Sequence, residues 1–312
     1  MKRIALLAVM GFLFLSGNAF AAKNEVAISY VKSPFNLQMI VMKEHGLLEK
    51  ELAPLGVSVS WPEINSGSKQ AQAMASGDLD ICGVMNSTSL LMAASEGMPI
   101  KIIAGVARPT DVFALMGRKG GPASIKELRG KTIAGPKGTV LHQLLVAALA
   151  TEGMTLKDVQ FLQMDIPQSF AAMQGGKVDA ALLAANMVIK AEEEGAAKIA
   201  TATGLVVPKL AMMGSDSFIK NHPDRLKAAI AAHDKAWQWI TENHDEAIAL
   251  GAKIQGISIE DAERLFEWSY FTQRFNQSDI ESMKDDMQFL LDNDMMRKTV
   301  DVSTLIIPEA ME

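Results

Sequence analysis

Short apolar runs alternate with amphipathic, helix-like segments along most of this chain. Apolar runs of about four to eight residues between turn signals predict strands, and apolar positions spaced three or four apart predict helices. The strands predicted in the first part are 26–31, 57–61, 79–85, 100–106 and 112–117. The helices predicted between them are 36–45, 66–77 and 87–97. Such alternation is typical of an α/β fold with largely parallel sheets.

The alternation restarts after a break at Gly120-Gly121-Pro122. The strands predicted there are 131–134, 159–164, 180–183, 198–202 and 210–214, with helices at 139–152, 168–174 and 186–194. From His222 onward the pattern is helical, with amphipathic segments at 222–243, 245–253, 258–267 and 278–292. Two successive β/α units predict two lobes, one made of 24–116 and 208–312 and the other of 117–207. We expect hinges near 117–121 and 206–208.

The first residues have the features of a secretory signal peptide. Met1-Lys2-Arg3 is basic, residues 4–15 are apolar, and small residues lead to Ala19-Phe20-Ala21. This order predicts a signal peptide at 1–21, cleaved after Ala21. The apolar run is shorter than the roughly 18 residues of a membrane span, and Asn18 stands where a lipoprotein would have its cysteine. We therefore expect a mature chain without membrane insertion in the periplasm of a Gram-negative bacterium.

Composition narrows the class of protein further. Cys82 is the only cysteine, so no intrachain disulfide can form. Loss of Lys2 and Arg3 changes the net charge from −6 to about −8, and an acidic chain without a basic block does not favour a nucleic-acid partner. The histidines have no metal-ligand spacing, and nucleophile-elbow and Walker motifs are absent from the sequence. We expect no catalytic residue, no metal and no cofactor, and hence no enzyme.

Several short motifs follow one another in an informative order. They are 43–50 (KEHGLLEK), Ser66-Gly67-Ser68, 75–81 (ASGDLDI), 125–134 (IKELRGKTIA), 136–139 (PKGT) and 172–180 (AMQGGKVDA). With these motifs the chain resembles the sulfonate, taurine, nitrate and thiamine-pyrimidine binding proteins of ABC importers. The resemblance implies the type II periplasmic binding protein fold, an α/β fold with a mostly parallel sheet in each of two lobes, plus C-terminal helices. It also implies that the ligand lies between the lobes and that binding closes them.

The resemblance further implies a periplasmic solute-binding protein that delivers a small molecule to an inner-membrane ABC permease with its cytoplasmic ATPase. We expect a monomer. Two alternatives stay open at this point: a protein that binds or makes a thiamine-pyrimidine precursor on the same fold, and a periplasmic sensory adaptor. The biosynthetic family uses a cysteine-rich motif, whereas Cys82 stands alone in an apolar run.

Candidate ligand-binding residues lie where predicted strands lead into helices. A helix N-terminus presents unpaired N–H groups and a partial positive charge, which suits an anion. The candidates are Ser33, Phe35 and Asn36; Ser66, Gly67 and Ser68; Met85, Asn86 and Ser87; and Gly138, Thr139 and Val140. Serine, threonine and asparagine at such positions are equally explained as simple N-caps. Lys69 and Lys137 are alternative partners for an anion.

One departure from the family pattern bears on the ligand. Sulfonate and taurine binders commonly carry Trp-Asp-Pro where this chain has Leu183-Ala184-Ala185-Asn186-Met187. The carboxylate that would hold an amine is missing, and so is the aromatic wall. Ala185 and Met187 are expected to leave room for a larger, less polar body. The sequence therefore predicts a small organic anion, sulfonate- or carboxylate-like, with an apolar body, and disfavours taurine.

Overall fold

The computed structural model describes residues 24–31 and 35–312; the predicted signal peptide and Ser33 lie outside these ranges. The strands are β1 (Glu25–Ala27), β2 (Ser58–Ser60), β3 (Ile81–Asn86), β4 (Ile100–Ala107), β5 (Phe113–Gly117), β6 (Thr132–Gly135), β7 (Gln160–Gln163), β8 (Ala180–Ala184), β9 (Ala197–Thr201) and β10 (Leu210–Ser215). The helices are α1 (Leu37–Glu44), α2 (Leu47–Leu52), α3 (Gly67–Ser76), α4 (Ser87–Ser95), α5 (Val140–Thr151), α6 (Ile166–Gln174), α7 (Asn186–Glu193), α8 (Asp216–Asn221), α9 (Pro223–Glu242), α10 (His244–Gln255), α11 (Ile259–Ser269) and α12 (Gln277–Asp292).

A three-stranded sheet extended by a two-stranded one, and a five-stranded sheet with the same strand order, organise the chain. In the first, β10 lies between β3 and β4 and runs antiparallel to both. A parallel bridge from Ile28 to Ile81 sets the parallel pair β1–β2 beside β3. In the second, the order is β7-β6-β8-β5-β9, with β5 antiparallel to β8 and β9. Each sheet thus has one strand, second from an edge, that runs antiparallel to both of its neighbours. This strand is β10 in the first sheet, where it follows the second sheet's strands along the chain, and β5 in the second sheet, where it precedes that sheet's other strands.

The first crossing between the sheets lies earlier than predicted. All of β5 pairs with β8, from Phe113 beside Ala184 to Gly117 beside Ala180. Gly117 is followed by a tight turn inside this sheet, where a side chain on Gly117 would collide with the carbonyl oxygen of Pro122. In this structure the chain passes between the sheets at 108–112 and 202–209, so the strand pairing places the first crossing before β5 and not at 117–121. We propose these two segments as the lobe boundaries in place of 116/117 and 207/208.

Short helices and the last segment differ from the predicted pattern. The helices α2 and α8 were not predicted, because six residues are too few to show helical periodicity. The helical region was predicted to extend to the end of the chain. Residues beyond α12 instead return to the first sheet, where Ile307 donates its backbone N–H to the carbonyl of Ile102 at 3.1 Å. Within the described residues, no helix is long and apolar enough to cross a membrane.

Candidate functional site

A narrow cleft, partly open to solvent and with a cavity volume of about 60 Å³, lies between the two sheets and their helices. We call it the inner chamber. It is lined by Val31, Asn65, Ser66, Gly67, Gln70, Val84, Met85, Asn86, Phe113, Pro136, Thr139, Val140, Leu141, Ile166 and Leu210. Among these described residues none is charged, and the apolar side chains outnumber the polar ones. The chamber therefore combines an apolar wall with a few neutral polar groups, as small-molecule sites commonly do.

The N-terminus of α3 forms one polar end of the inner chamber. Ser66 precedes the helix in an extended conformation, and its hydroxyl oxygen lies 3.0 Å from that of Ser68. A side chain on Gly67 would come within 2.6 Å of the Ser89 hydroxyl oxygen, so glycine lets α3 begin against α4. The first N–H groups of a helix have no acceptor within the helix, and α3 begins at the cleft.

The N-terminus of α5 forms a second polar end, on the opposite lobe. Thr139 precedes the helix, and its hydroxyl donates to the carbonyl of Pro136 at 2.9 Å. The threonine side chain thus stabilises the loop before the helix. The backbone N–H of Val140 donates to the side-chain oxygen of Asn86 at 3.2 Å. The two helix ends together give the chamber a partial positive charge without a basic side chain.

Asn86 connects the two lobes at this point. Its side-chain oxygen also accepts from the N–H of Ser89 at 2.9 Å, as an N-cap of α4. One oxygen therefore caps a helix of each lobe. Ser89 adds a further bond across the cleft, because its hydroxyl donates to the carbonyl of Gly138 at 3.0 Å.

A buried hydrogen-bond network runs from this contact to a crossing segment. Thr88 donates to Gln143 at 2.6 Å, and Gln143 donates to Asp286 at 2.7 Å. The ammonium of Lys209, whose side chain is 0% exposed, donates to Asp286 and to the carbonyl of Val207, each at 2.9 Å. The network joins α4, α5 and α12 to residues 202–209. A buried charge is tolerated when it is paired and hydrogen-bonded in this way.

Six of the predicted site residues meet at the inner chamber: Ser66, Gly67, Met85, Asn86, Thr139 and Val140. Their contact with a ligand stays a prediction. Met187 and Asn186 line a neighbouring outer chamber with a cavity volume of about 290 Å³. Ser33 lies outside the described residues.

Other predicted residues lie elsewhere, for physical reasons. Phe35 is 1% exposed and packs in the core against Gly251, which has no side chain to displace it. Asn36 is equally buried and donates its side-chain N–H to the carbonyl of Val31 at 3.0 Å. Ser87 is buried, and its backbone N–H donates to the backbone carbonyl of Lys209.

Three more predicted residues shape the cleft indirectly. Ser68 contacts Ser66 from the first turn of α3. Gly138 adopts φ +72°, which favours glycine, and a side chain there would come within 3.4 Å of Met92. Ala185 is fully buried and donates its N–H to the carbonyl of Val112 at 2.8 Å.

The two lysines considered as partners for an anion are engaged away from the inner chamber. Lys69 forms an ion pair with Asp165 at 2.9 Å, between the lobes. Lys137 lines a separate groove together with His142 and Arg297. Neither position supports direct charge pairing with a solute in the inner chamber.

Several lining residues were not predicted from the sequence. Phe113 and Leu210 reach the chamber as the first residues of the strands that follow the two crossing segments, and Pro136 and Ile166 reach it from the second lobe. Gln70 lies in α3, one turn after Ser66, where it donates to the carbonyl of Val84 at 3.1 Å. Gln70 follows Ser66 by four residues and Gly67 by three, and residues at these spacings lie on one face of a helix. This spacing could have identified Gln70 as a lining residue.

Cys82 is not an accessible nucleophile. It is fully buried beside Gln70, to which its thiol donates at 2.5 Å. Burial raises the pKa of the Cys82 thiol to about 12. A thiol becomes reactive as the thiolate, so this cysteine stays protonated and inert near neutral pH.

Comparison with known proteins gives the family. Residues 36–247 match the sequence model of the family described as NMT1/THI5 like. The chain belongs to this family. The NMT1/THI5-like chain is 30% identical over 213 residues to the taurine-binding periplasmic protein of Escherichia coli, with 65% of each chain covered. The resemblance predicted from the motifs is confirmed.

Solved structures give the fold. The alkanesulfonate-binding protein SsuA from Xanthomonas axonopodis pv. citri, bound to MOPS, matches with a TM-score of 0.79 and 19% identity, covering 91% of this chain and 98% of that one. The aliphatic sulphonate binding protein SsuA from Escherichia coli matches with a TM-score of 0.75 and 20% identity, covering 92% and 98%. The periplasmic binding protein fold predicted for this NMT1/THI5-like protein is confirmed.

Proposed function

We propose that this protein is the solute-binding component of an ABC-type importer and that it binds a small organic anion with an apolar body in the inner chamber. The observation that carries the proposal is the convergence of two helix N-termini, those of α3 and α5, on one cleft between the lobes. Such termini hold a sulfonate or carboxylate through backbone N–H groups. Family membership supports the same class of function.

The apolar wall supports the second half of the proposal. Val31, Met85, Phe113 and Leu210 face the same chamber as the helix ends. Burial of apolar surface contributes roughly 25 cal/mol per Å², so a solute with an aliphatic or ring-bearing body gains more here than taurine does. One relative is named the taurine-binding periplasmic protein and another a putative aliphatic sulfonates-binding protein, and we propose a ligand of related chemistry but less polar.

The location and partners follow from the proposed role. We propose that the protein acts as a monomer in the periplasm and passes its solute to an inner-membrane permease coupled to a cytoplasmic ATPase. The periplasmic relatives and the signal-peptide-like N-terminus support this location. Capture of the cognate permease by the solute-loaded protein in detergent would test the partnership.

A hydrolytic or desulfurising activity is the alternative that the comparisons raise. The desulfurization enzyme DSZB matches with a TM-score of 0.64 and 15% identity, covering 91% of this chain and 96% of that one, which is a likeness of fold alone. The buried Cys82 thiol offers no support for such chemistry. We propose that the protein binds without turnover, and recovery of bound solutes unchanged after prolonged incubation tests this.

Small-angle scattering tests the two-lobe mechanism. A solute that is held by both lobes stabilises the closed arrangement relative to an open one. We expect the radius of gyration to decrease on saturation with an organic sulfonate or carboxylate that binds. An unchanged radius at saturation would contradict closure around the crossing segments 108–112 and 202–209.

A further inference from the structure

Gln143 lies on the first turn of α5, and both ends of its side-chain amide are bound by the opposite lobe. Its side-chain oxygen accepts from the Thr88 hydroxyl at 2.6 Å, and its side-chain N–H donates to the Asp286 carboxylate at 2.7 Å. Thr88 belongs to α4 and Asp286 to α12, both in the first lobe, whereas α5 belongs to the second. One amide thus connects the two lobes through two hydrogen bonds.

The three side chains of this contact are removed from solvent. Thr88 is 1% exposed, Gln143 3% and Asp286 9%. A buried polar group that loses its partner costs free energy, because no water replaces the lost hydrogen bond. Separation of the lobes at this point would remove a partner from all three groups at once. A buried network whose members are all hydrogen-bonded favours a single arrangement of the elements that it joins.

The Asp286 carboxylate connects Gln143 to a crossing segment between the lobes. One of its oxygens accepts from Gln143, and the other accepts from the ammonium of Lys209 at 2.9 Å. Lys209 is the last residue of the segment 202–209, directly before β10. Hinge closure changes the backbone direction in such a segment. Movement of the hinge therefore acts on the group that binds Gln143.

The contact lies beside the cleft and not in its wall. Thr88, Gln143 and Asp286 are absent from the described residues that line the inner chamber. Any contribution of Gln143 to solute binding therefore acts through the position of the lobes. Asn86 and Ser89 of α4 reinforce the contact, since both also form hydrogen bonds with the residues at the start of α5.

We infer that Gln143 is a positioning residue for solute binding, and that its bonds to Thr88 and Asp286 form a latch that stabilises the closed arrangement whatever the solute. The inference rests on the proposed function, since affinity for a solute is one of its readouts. The apparent dissociation constant of a two-state protein is the intrinsic one divided by the fraction of molecules in the competent arrangement. Loss of the latch lowers this fraction, so it weakens the binding of every solute by the same factor.

Gln143→Met tests the inference, because methionine has a similar length and can form neither bond. We expect the dissociation constants for butane-1-sulfonate, benzenesulfonate and butanoate to rise together by about tenfold, with their ratios unchanged within about twofold. Calorimetric titration measures the constants. Small-angle scattering should give a larger radius of gyration for the solute-free variant than for the solute-free wild type, and equal radii at saturation.

Thr88→Val is the second variant, and it carries the test alone if Gln143→Met does not fold. Valine keeps the shape of threonine and removes only the hydroxyl that donates to Gln143. We expect each dissociation constant to rise by about threefold. The double variant should bind no more weakly than Gln143→Met, because the threonine then has no partner to lose. A double-mutant cycle on the dissociation constants measures this coupling.

Gln38→Met is the matched control. Gln38 is 0% exposed, and its side-chain N–H groups donate to the carbonyls of Val106 and Thr272 at 3.0 and 3.3 Å, all within the first lobe. We expect a loss of stability similar to that of Gln143→Met, measured by urea denaturation, with dissociation constants changed by at most about twofold. Equal weakening of binding in the two variants would overturn the latch, since the effect would then be a general loss of stability.

The possible outcomes separate the latch from the proposed function. Affinity that is unchanged or higher in both Gln143→Met and Thr88→Val would overturn the latch and leave the proposed function standing. A loss that differs among the solutes by more than about twofold would also overturn it, because it indicates contact with the solute. Failure of every anion to bind the wild type would overturn the proposed function, and equal radii of the solute-free proteins would then overturn the latch as well. A uniform loss of affinity with a larger solute-free radius supports the latch.

Discussion

The side-chain oxygen of Asn86, in the first lobe, lies 3.2 Å from the backbone nitrogen of Val140, which donates to it from the second lobe. The same oxygen accepts from Ser89 at 2.9 Å. A residue that looks like an ordinary N-cap therefore also fixes the distance between two helix ends at the cleft. We therefore expect both closure of the lobes and solute binding to depend on Asn86.

Asn86→Ala should weaken solute binding as well as stability. Loss of the N-cap costs about 1 kcal/mol in free energy of unfolding, with a further contribution from the interlobe bond. We also expect the dissociation constant for an organic sulfonate to be about tenfold higher, because the closed arrangement loses one of its contacts. Chemical denaturation and calorimetry measure the two effects.

Asn276→Ala is the matched control for this prediction. Asn276 caps α12 by accepting from the N–H of Asp279 at 3.1 Å. Among the residues that line the inner chamber, none belongs to α12. A similar loss of stability is expected, but no more than a twofold change in affinity. If both variants weaken binding equally, the effect of Asn86 is a general loss of stability.

The buried pair of Lys209 and Asp286 should be costly to break. Removal of one partner leaves the other charge buried, which destabilises a protein by about 3–5 kcal/mol. We expect Lys209→Met to lower the free energy of unfolding by this amount. The control, Lys235→Met, removes an ion pair with Glu51 in which the lysine side chain is 58% exposed, and should cost at most about 1 kcal/mol. Equal effects would contradict the role of burial.

Stability should fall as the pH is lowered from about 6.5 to about 4. Burial is the main reason that the pKa values of His142 and His233 lie at about 4, below the ordinary value of 6.5. In this window the unfolded state binds protons that the folded state excludes, so unfolding becomes more favourable as pH decreases. Each histidine contributes of the order of 3 kcal/mol, fully present above pH 6.5.

His233→Leu provides the measurement. His233 is 0% exposed, and among the described residues both ring nitrogens are without a hydrogen-bond partner, so leucine fits the surroundings at least as well. Urea denaturation between pH 4 and 7 should show that the variant loses clearly less stability than the wild type. Identical pH dependence in the two proteins would show that His233 is not excluded from protonation.

Local signals in the sequence identified the polar ends of the cleft. Ser66, Asn86 and Thr139 each stand between a predicted strand or loop and a predicted helix, and helix starts in an α/β fold lie at the ends of the strands. The strands and long helices were predicted within a few residues because their periodicity is strong. The family motifs then indicated which of these ends face each other.

The remaining features depend on contacts between distant residues. Lys209 and Asp286 are 77 residues apart, and no local pattern pairs them. Phe35 precedes a helix, as a ligand-contacting residue would, yet Gly251 opens a place for its ring in the core. The pairing of β5 with β8 could not be predicted, because a crossing strand has the same apolar pattern in either sheet.

Calorimetric titration of the protein with butane-1-sulfonate and a panel of related sulfonates and carboxylates tests the central claim most directly. The account predicts one site per chain, with affinity reduced at least about tenfold by Thr139→Pro, which distorts the start of α5, and at most twofold by Lys137→Ala. Absence of binding for every organic anion in the panel, or a larger loss with Lys137→Ala than with Thr139→Pro, would contradict it.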